Sequence, residues 1–220
     1  MKPHIVVLDP AVKRPEVEIF NDLVSWSTLP LTHHFPALFG SNSLESEKDG
    51  IQGLIILGSA SSVNERTPWQ LDVEKWVSSV LSNRIPTLGL CYGHQMIAHM
   101  FGAKVGYITP DHAKLCGFRK ISLSRNSLWG DRTLSGSLVV SHNEEVKTCP
   151  SEFECVGTSP EIRIEALNHR TLPIWTFQSH AEANMAFLQN RTISEPRSKE
   201  AFAFGRSLVK SFLNFASKRG

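Results

Sequence analysis

Cys91 is the residue in this chain best placed to do covalent chemistry. It interrupts the run I-P-T-L-G-L-C-Y-G-H-Q-M-I-A-H-M-F over residues 85–101. The apolar stretch 87–90 reads as a strand, and Met96, Ile97, Met100 and Phe101 follow at helical spacing. A strand passing into a helix through one cysteine is the pattern of a nucleophile elbow. Gly89 and Gly93 flank the cysteine two residues away on each side, where small residues let the two backbones pass closely. The turn lifts the sulfur to a helix N-terminus, where orphan N–H groups and the macrodipole favour thiolate over thiol. A thiolate nucleophile needs an imidazole partner, and the imidazole needs a third group to fix its tautomer. His180 and Glu182 supply such a pair, because residues two apart in an extended segment project to the same side. Most free cysteines are small buried hydrophobes, and an isolated H-x-E string carries little weight. Their conjunction with the elbow makes the catalytic reading the favoured one.

These groups must be positioned by a scaffold. Residues 5–8, 53–57 and 87–90 read as buried strands, and 15–26 and 69–81 as helices with one apolar face. Residues 27–50, broken by Pro30, Pro36, Gly40 and Gly50, read as a long surface connection holding at most one short strand. His33 and His34 fall there and are expected in a solvated loop. Short strands are expected at 104–108, 118–123, 138–140, 153–157, 163–168 and 173–177. A polar segment, 190–200, leads to a last helix over 201–216. Helices alternating with strands, then a strand-rich stretch, predict an α/β fold: a mostly parallel central sheet with helices on both faces and a small antiparallel extension. In such sheets ligands bind beyond the carboxyl ends of the strands. Cys91, His180 and the small-residue run from Gly58 and Ser59 onward all follow predicted strand ends. Backbone N–H groups of such a run can form an oxyanion hole.

Composition narrows the classes. With 220 residues and 41% hydrophobic content, the chain is of ordinary globular type and long enough for a full core, read as one domain over 1–220. A net charge of +2 without basic runs gives no reason to expect a nucleic-acid partner. The four cysteines lack C-x-x-C spacing, so neither zinc nor a thioredoxin-like site is expected. Free thiols beside a reactive one fit a reducing compartment. No signal segment or membrane span is read, and a cytoplasmic protein is expected. No cofactor is implied.

With these motifs in hand, the chain resembles the class I glutamine amidotransferases, in particular the amidotransferase domain of GMP synthase. Elbow, small-residue loop and H-x-E occur in that family's order. Ile55-Ile56 through Ser62-Val63, Val139-Val140-Ser141-His142 with Glu144, and Trp175 through Glu182 each match a family segment. The resemblance implies a flavodoxin-like fold and glutamine as substrate. Cys91 would attack the side-chain amide, His180 would protonate the leaving nitrogen, and water would then split the glutamyl thioester. The backbone N–H of Tyr92, with Gly58 or Ser59, would hold the oxyanion. The resemblance also assigns substrate contacts to Gln95 and to Ser127, Leu128 and Trp129. It gives His94 a packing role and His142 a place on the rim near an acceptor partner.

The chain departs from the family pattern in places. Ser59-Ala60 stand where Gly-Pro is usual, which would add strain if φ at residue 59 must be positive. Ala181 replaces a proline between His180 and Glu182, and Leu115-Cys116 replace an acidic-aromatic pair before Gly117. No synthetase region or P-loop follows the last predicted helix, so the ammonia acceptor is expected to be a separate synthetase chain. Two alternatives use the same residues differently. One is a γ-glutamyl hydrolase or peptidase with the same triad; the other is a non-catalytic regulatory partner that kept the fold.

Overall fold

In the computed structural model, which describes residues 2–47, 49–194 and 198–218, every residue of β1 (His4–Leu8) is buried. Its side chains divide between two cores. Ile5 and Val7 join one, and Val6 and Leu8 the other. This period-two division is what a strand covered on both faces requires. Helix α1 (Val17–Trp26) follows, then β2 (Leu31–His34), two single turns α2 (Pro36–Phe39) and α3 (Asn42–Glu45), and β3 (Ile51–Ile56). Helix α4 (Pro68–Ser82) starts at a Thr67–Gln70 capping box with Pro68 in its first turn. Next come β4 (Thr87–Leu90), α5 (Tyr92–Met100), β5 (Val105–Tyr107), β6 (Leu115–Leu123), β7 (Leu134–His142) and β8 (Glu144–Val146). The chain continues through β9 (Phe153–Thr158), β10 (Ala166–His169), β11 (Ile174–Phe177), α6 (Met185–Asn190) and α7 (Ser198–Ser217).

One nine-stranded sheet runs β2-β1-β3-β4-β11-β10-β9-β6-β7, and β5 pairs with β8 separately. From β2 to β11 neighbours are parallel. From β11 to β7 they are antiparallel. Ile19 and Leu23 of α1 and Val209 and Phe212 of α7 fill one core. Val73 and Val77 of α4 and Met96 and Ile97 of α5 fill the other. The fold is thus the α/β sheet with helices on both faces that the sequence predicts. The antiparallel part is larger than read, because it continues the same sheet and because β6 and β7 each reach nine residues. Among the described residues, no helix is long and apolar enough to cross a membrane.

The 27–50 stretch also differs from its reading. His34 lies on β2, 6% exposed, with Nε2 3.0 Å from Glu47 Oε1, and Glu47 Oε2 is 2.6 Å from His4 Nε2. His33 Nε2 meets buried Asp9 at 3.2 Å and its ring stacks on Phe20. These two histidines are therefore satisfied partners of a sheet edge and not members of a solvated loop. Their acids lie 13 and 24 positions away along the chain, a pairing that only folding creates. Of the polar segment expected at 190–200, residues 195–197 lie outside the described residues.

Candidate active site

The carboxyl ends of β3, β4 and β11 converge, and Gly58, Cys91 and the segment from Gln178 to Glu182 follow them. Cys91 caps α5 with φ 50° and ψ −97°. This positive φ is a strained conformation for a residue with a Cβ, costing on the order of 1–3 kcal/mol. Its N–H donates to Phe177 O at 2.8 Å, and its carbonyl accepts from Gln95 N at 3.1 Å. Close approach of backbone accounts for the two flanking glycines. A Cβ on Gly89 would lie 2.7 Å from the Gly93 carbonyl carbon, and one on Gly93 would lie 2.5 Å from Ile56 O. Strand β4, helix α5 and strand β3 pack this tightly only because both positions lack a side chain.

His180 is tied to the antiparallel half of the sheet, its N–H donating to Val139 O at 2.8 Å. Its Nδ1 lies 2.8 Å from Glu182 Oε1, and both residues are buried. Burial works against charging the ring. The Cys91 sulfur and the Glu182 carboxylate, by charge and by hydrogen bonding, outweigh it and hold the imidazole protonated well above its ordinary range. Gly58 closes the group: a Cβ there would sit 2.7 Å from His180 Cε1 and 3.6 Å from Cys91 Cβ. Sulfur, imidazole, carboxylate and the Gly58 loop are thus brought together.

The loop after Gly58 needs no left-handed residue. Neither Gly58 nor Ser59 has a positive φ, so replacing the family's Gly-Pro adds no strain of that kind here. Ser59 Oγ is turned away, donating to Pro10 O at 2.7 Å and accepting from Ser61 N at 3.1 Å. Tyr92 is the first residue of α5, where backbone N–H groups have no intrahelical acceptor. Its side chain points into the α4 core, with the hydroxyl 3.2 Å from Gln70 Nε2.

A cleft of about 280 Å³ opens over Cys91, walled by Ser59, Gln95, Lys114, His142 and Glu144 among others. Gln95 Nε2 donates to Glu144 O at 2.8 Å and to Gln178 Oε1 at 3.3 Å. Gln178 in turn directs its own Nε2 toward Cys91 Sγ at 3.9 Å. The sequence reading does not single out Gln178, although its place two residues before His180 is an available signal. Lys114 and Glu144 leave no comparable trace. Burial, aided by the nearby Arg119 charge, holds His142 down to about 3 despite its hydrogen bond to Glu144 O. His94, fully buried against Thr176 Oγ1 at 2.7 Å, is also held to about 3 by burial. Neither is a candidate acid near neutrality.

The structure does not bring Ser127, Leu128 and Trp129 to this cleft. They belong to the turn between β6 and β7, at the ends of those strands remote from the cleft. Leu115 pairs with His142 at the cleft, whereas Leu123 pairs with Leu134 eight residues further along, roughly 26 Å by strand rise. Ser127 Oγ instead accepts from Trp175 Nε1 at 3.2 Å, beside a groove that includes Pro86 and Pro173 at the starts of β4 and β11. Leu128 and Trp129 pack into the core.

Comparison with known proteins agrees with this geometry. Residues 30–194 match the family model described as glutamine amidotransferase class-I. The amidotransferase-type subunit of the glutamine-hydrolysing GMP synthase of Thermoplasma acidophilum is 30% identical over 173 residues, covering 78% of this chain and 76% of that one. Its counterpart in Methanocaldococcus jannaschii is 31% identical over 143 residues, covering 63% and 68%. The crystal structure of a glutamine amidotransferase from Thermotoga maritima superposes with a TM-score of 0.73 at 17% identity, covering 98% of each chain. An elbow cysteine facing a His–Glu pair on this sheet, together with a family match over three quarters of its length, places the chain in the class I glutamine amidotransferases.

Proposed function

We propose that the chain, as a single domain over residues 1–220, hydrolyses the side-chain amide of glutamine to glutamate and ammonia through a thioester on Cys91. The Cys91 thiolate attacks the amide carbon. The oxyanion is held by the N–H groups of Tyr92 and of Gly58 or Ser59, each such donor contributing about 10²–10³ in rate. His180, oriented by Glu182, gives its proton to the departing nitrogen. It then takes one from the water that splits the thioester. Gln95 uses both amide hydrogens within the protein, which leaves its oxygen to accept from the substrate's α-amino group. The observation carrying this reading is the raised proton affinity of an imidazole set between Cys91 and Glu182.

The relatives are designated subunits of a glutamine-hydrolysing GMP synthase, and we take the ammonia acceptor to be a separate synthetase chain. The four free thiols suit a reducing, cytoplasmic setting. A complete Cys–His–Glu set argues against a purely regulatory partner. The test is glutamate release from glutamine by the purified chain beside Cys91→Ala. The variant is expected to lose more than about 10³ in turnover, and turnover that survives it refutes the assignment.

A further inference from the structure

The cleft over Cys91 is continuous with a second chamber of about 500 Å³, the two sharing Ser59, Ala60 and Lys114 in their walls. Gly58 lines the second chamber, and its α-carbon backs onto both His180 Cε1 and Cys91 Cβ. The chamber therefore begins on the imidazole side of the sulfur. If the imidazole protonates the departing nitrogen, as proposed, the amine leaves toward this chamber.

Its walls are cationic. Lys13, Arg14, Lys114 and Arg191 line it, against the single acid Glu16. Arg191 is paired with Glu16, and Arg14 lies 3.6 Å from Glu18. Lys13 and Lys114 have no ion pair among the described residues. The wall is also fixed in advance. Fully buried Asp9 accepts from Ala11 N at 3.1 Å and from Glu16 N at 2.7 Å, which pins the loop bearing Lys13 and Arg14. The Ser59 Oγ bond to Pro10 O locks that loop to the one after Gly58.

Ammonia has no use for such a chamber, being about as small as a water molecule, whose share of liquid volume is about 30 Å³. We infer that the chain also accepts γ-glutamyl amines whose leaving amine carries a carboxylate, such as an amino acid or short peptide, with that carboxylate held by Lys13 and Lys114. The inference rests on the hydrolytic reading of Cys91 and His180. The bond broken is that between the γ-carbonyl carbon and the amine nitrogen, and the bond formed is the thioester to Cys91 Sγ. The His180 proton goes to the departing amine. Water then releases glutamate and restores thiolate and imidazolium.

The test uses the full chain with γ-glutamylglycine, γ-glutamyl methylamide, which lacks the carboxylate, and glutamine. Glutamate release gives kcat/KM, and protection of Cys91 from iodoacetamide gives binding without turnover. γ-Glutamylglycine is expected to exceed the methylamide by about tenfold, the scale of one hydrogen bond to a charged group. That ratio should collapse in Lys13→Ala and return in Lys13→Arg. Equal treatment of the two compounds, or a preference untouched by Lys13→Ala, overturns the inference and leaves the cations to an acidic partner surface. Glutamine cleaved while γ-glutamylglycine is neither cleaved nor protective overturns it with the proposed function intact. If glutamine itself is not cleaved, the hydrolytic reading fails, and protection alone decides the subsite.

Discussion

Gly58→Ala is the sharpest test of how the reacting groups are held. The new Cβ would lie 2.7 Å from His180 Cε1, where ordinary contact begins at 3.4 Å, so something must move by about 0.7 Å, given the steep repulsion between carbon atoms inside contact distance. The ring has little room: Nδ1 is bonded to Glu182, the backbone N–H to Val139 O, and its other face lies 4.4 Å from the Phe187 ring centroid. The alternative is retreat of the Gly58 loop, which Ser59 Oγ anchors to Pro10 and which carries the proposed oxyanion donors. Either movement displaces a reacting group, and displacements near 1 Å cost about 10² in rate. The overpacking should also cost about 1–3 kcal/mol of stability. Steady-state glutamate release should therefore fall by about 10², with the loss mainly in kcat, while thermal unfolding stays cooperative. A Gly58→Ala chain with unchanged kcat would refute the placement of His180 against this loop and, with it, the shared geometry of imidazole and oxyanion donors.

Two further outcomes follow from charge. Glu182→Gln keeps an acceptor for His180 Nδ1 but removes the negative charge that favours imidazolium. The basic limb of the kcat/KM profile should then move down by about one pH unit or more, and an unmoved limb would remove Glu182 from its role. His94 and His142, both held near 3, bind protons more readily in the unfolded chain. The stability they allow is present above about pH 6.5 and is lost as pH falls, by roughly 2 kcal/mol for each between pH 7 and 5. His180 has the opposite sign, but most of its contribution is already present at pH 7. The melting temperature should therefore drop over that interval, and a constant or rising value would contradict the burial of the two rings.

How much of this is legible in the sequence depends on whether the determinants are local. The elbow can be read because Gly89, Cys91 and Gly93 meet the backbone of β3 and α5 within one turn, and the strand-to-helix switch is a change of period. His180 and Glu182 can be read because two residues on one extended segment share a side. The second half of the sheet is less legible. Strands β6 and β7 stay paired through Gly117, Arg119, Lys120 and several serines, where long-range pairing overrides composition. Ser127, Leu128 and Trp129 show the limit of carrying roles across by motif, since three residues in a hairpin turn say nothing about which end of the hairpin faces the site. Gln178 escapes notice because an amide has no signature of its own. Its role appears only once Gln95, 83 positions earlier, is seen donating to it.

The buried Arg119–Glu165 pair makes the same point from the interior. Arg119 Nη1 lies 2.9 Å from Glu165 Oε1, with both side chains almost fully enclosed. A pair so deeply desolvated is weak ground for a stability argument, because removing two charges from water offsets much of their attraction. What its hydrogen bonds do is specific. Glu165 takes Ser179 Oγ on its other oxygen and Gln178 N on its carbonyl, which fixes the two residues ahead of His180 from behind. Arg119 also meets His142 Nε2 at 3.1 Å, and His142 Nδ1 donates to the same Glu144 carbonyl that receives Gln95. One chain of bonds therefore runs behind the cleft from Gln95 on α5 to Gln178 after β11. The nucleophile comes from the parallel half of the sheet. The carbonyl that catches His180, and the arginine that braces its approach, come from the antiparallel half. The long antiparallel extension thus sets the direction from sulfur to imidazole, and the strands least legible in the sequence are the ones that position the proposed acid.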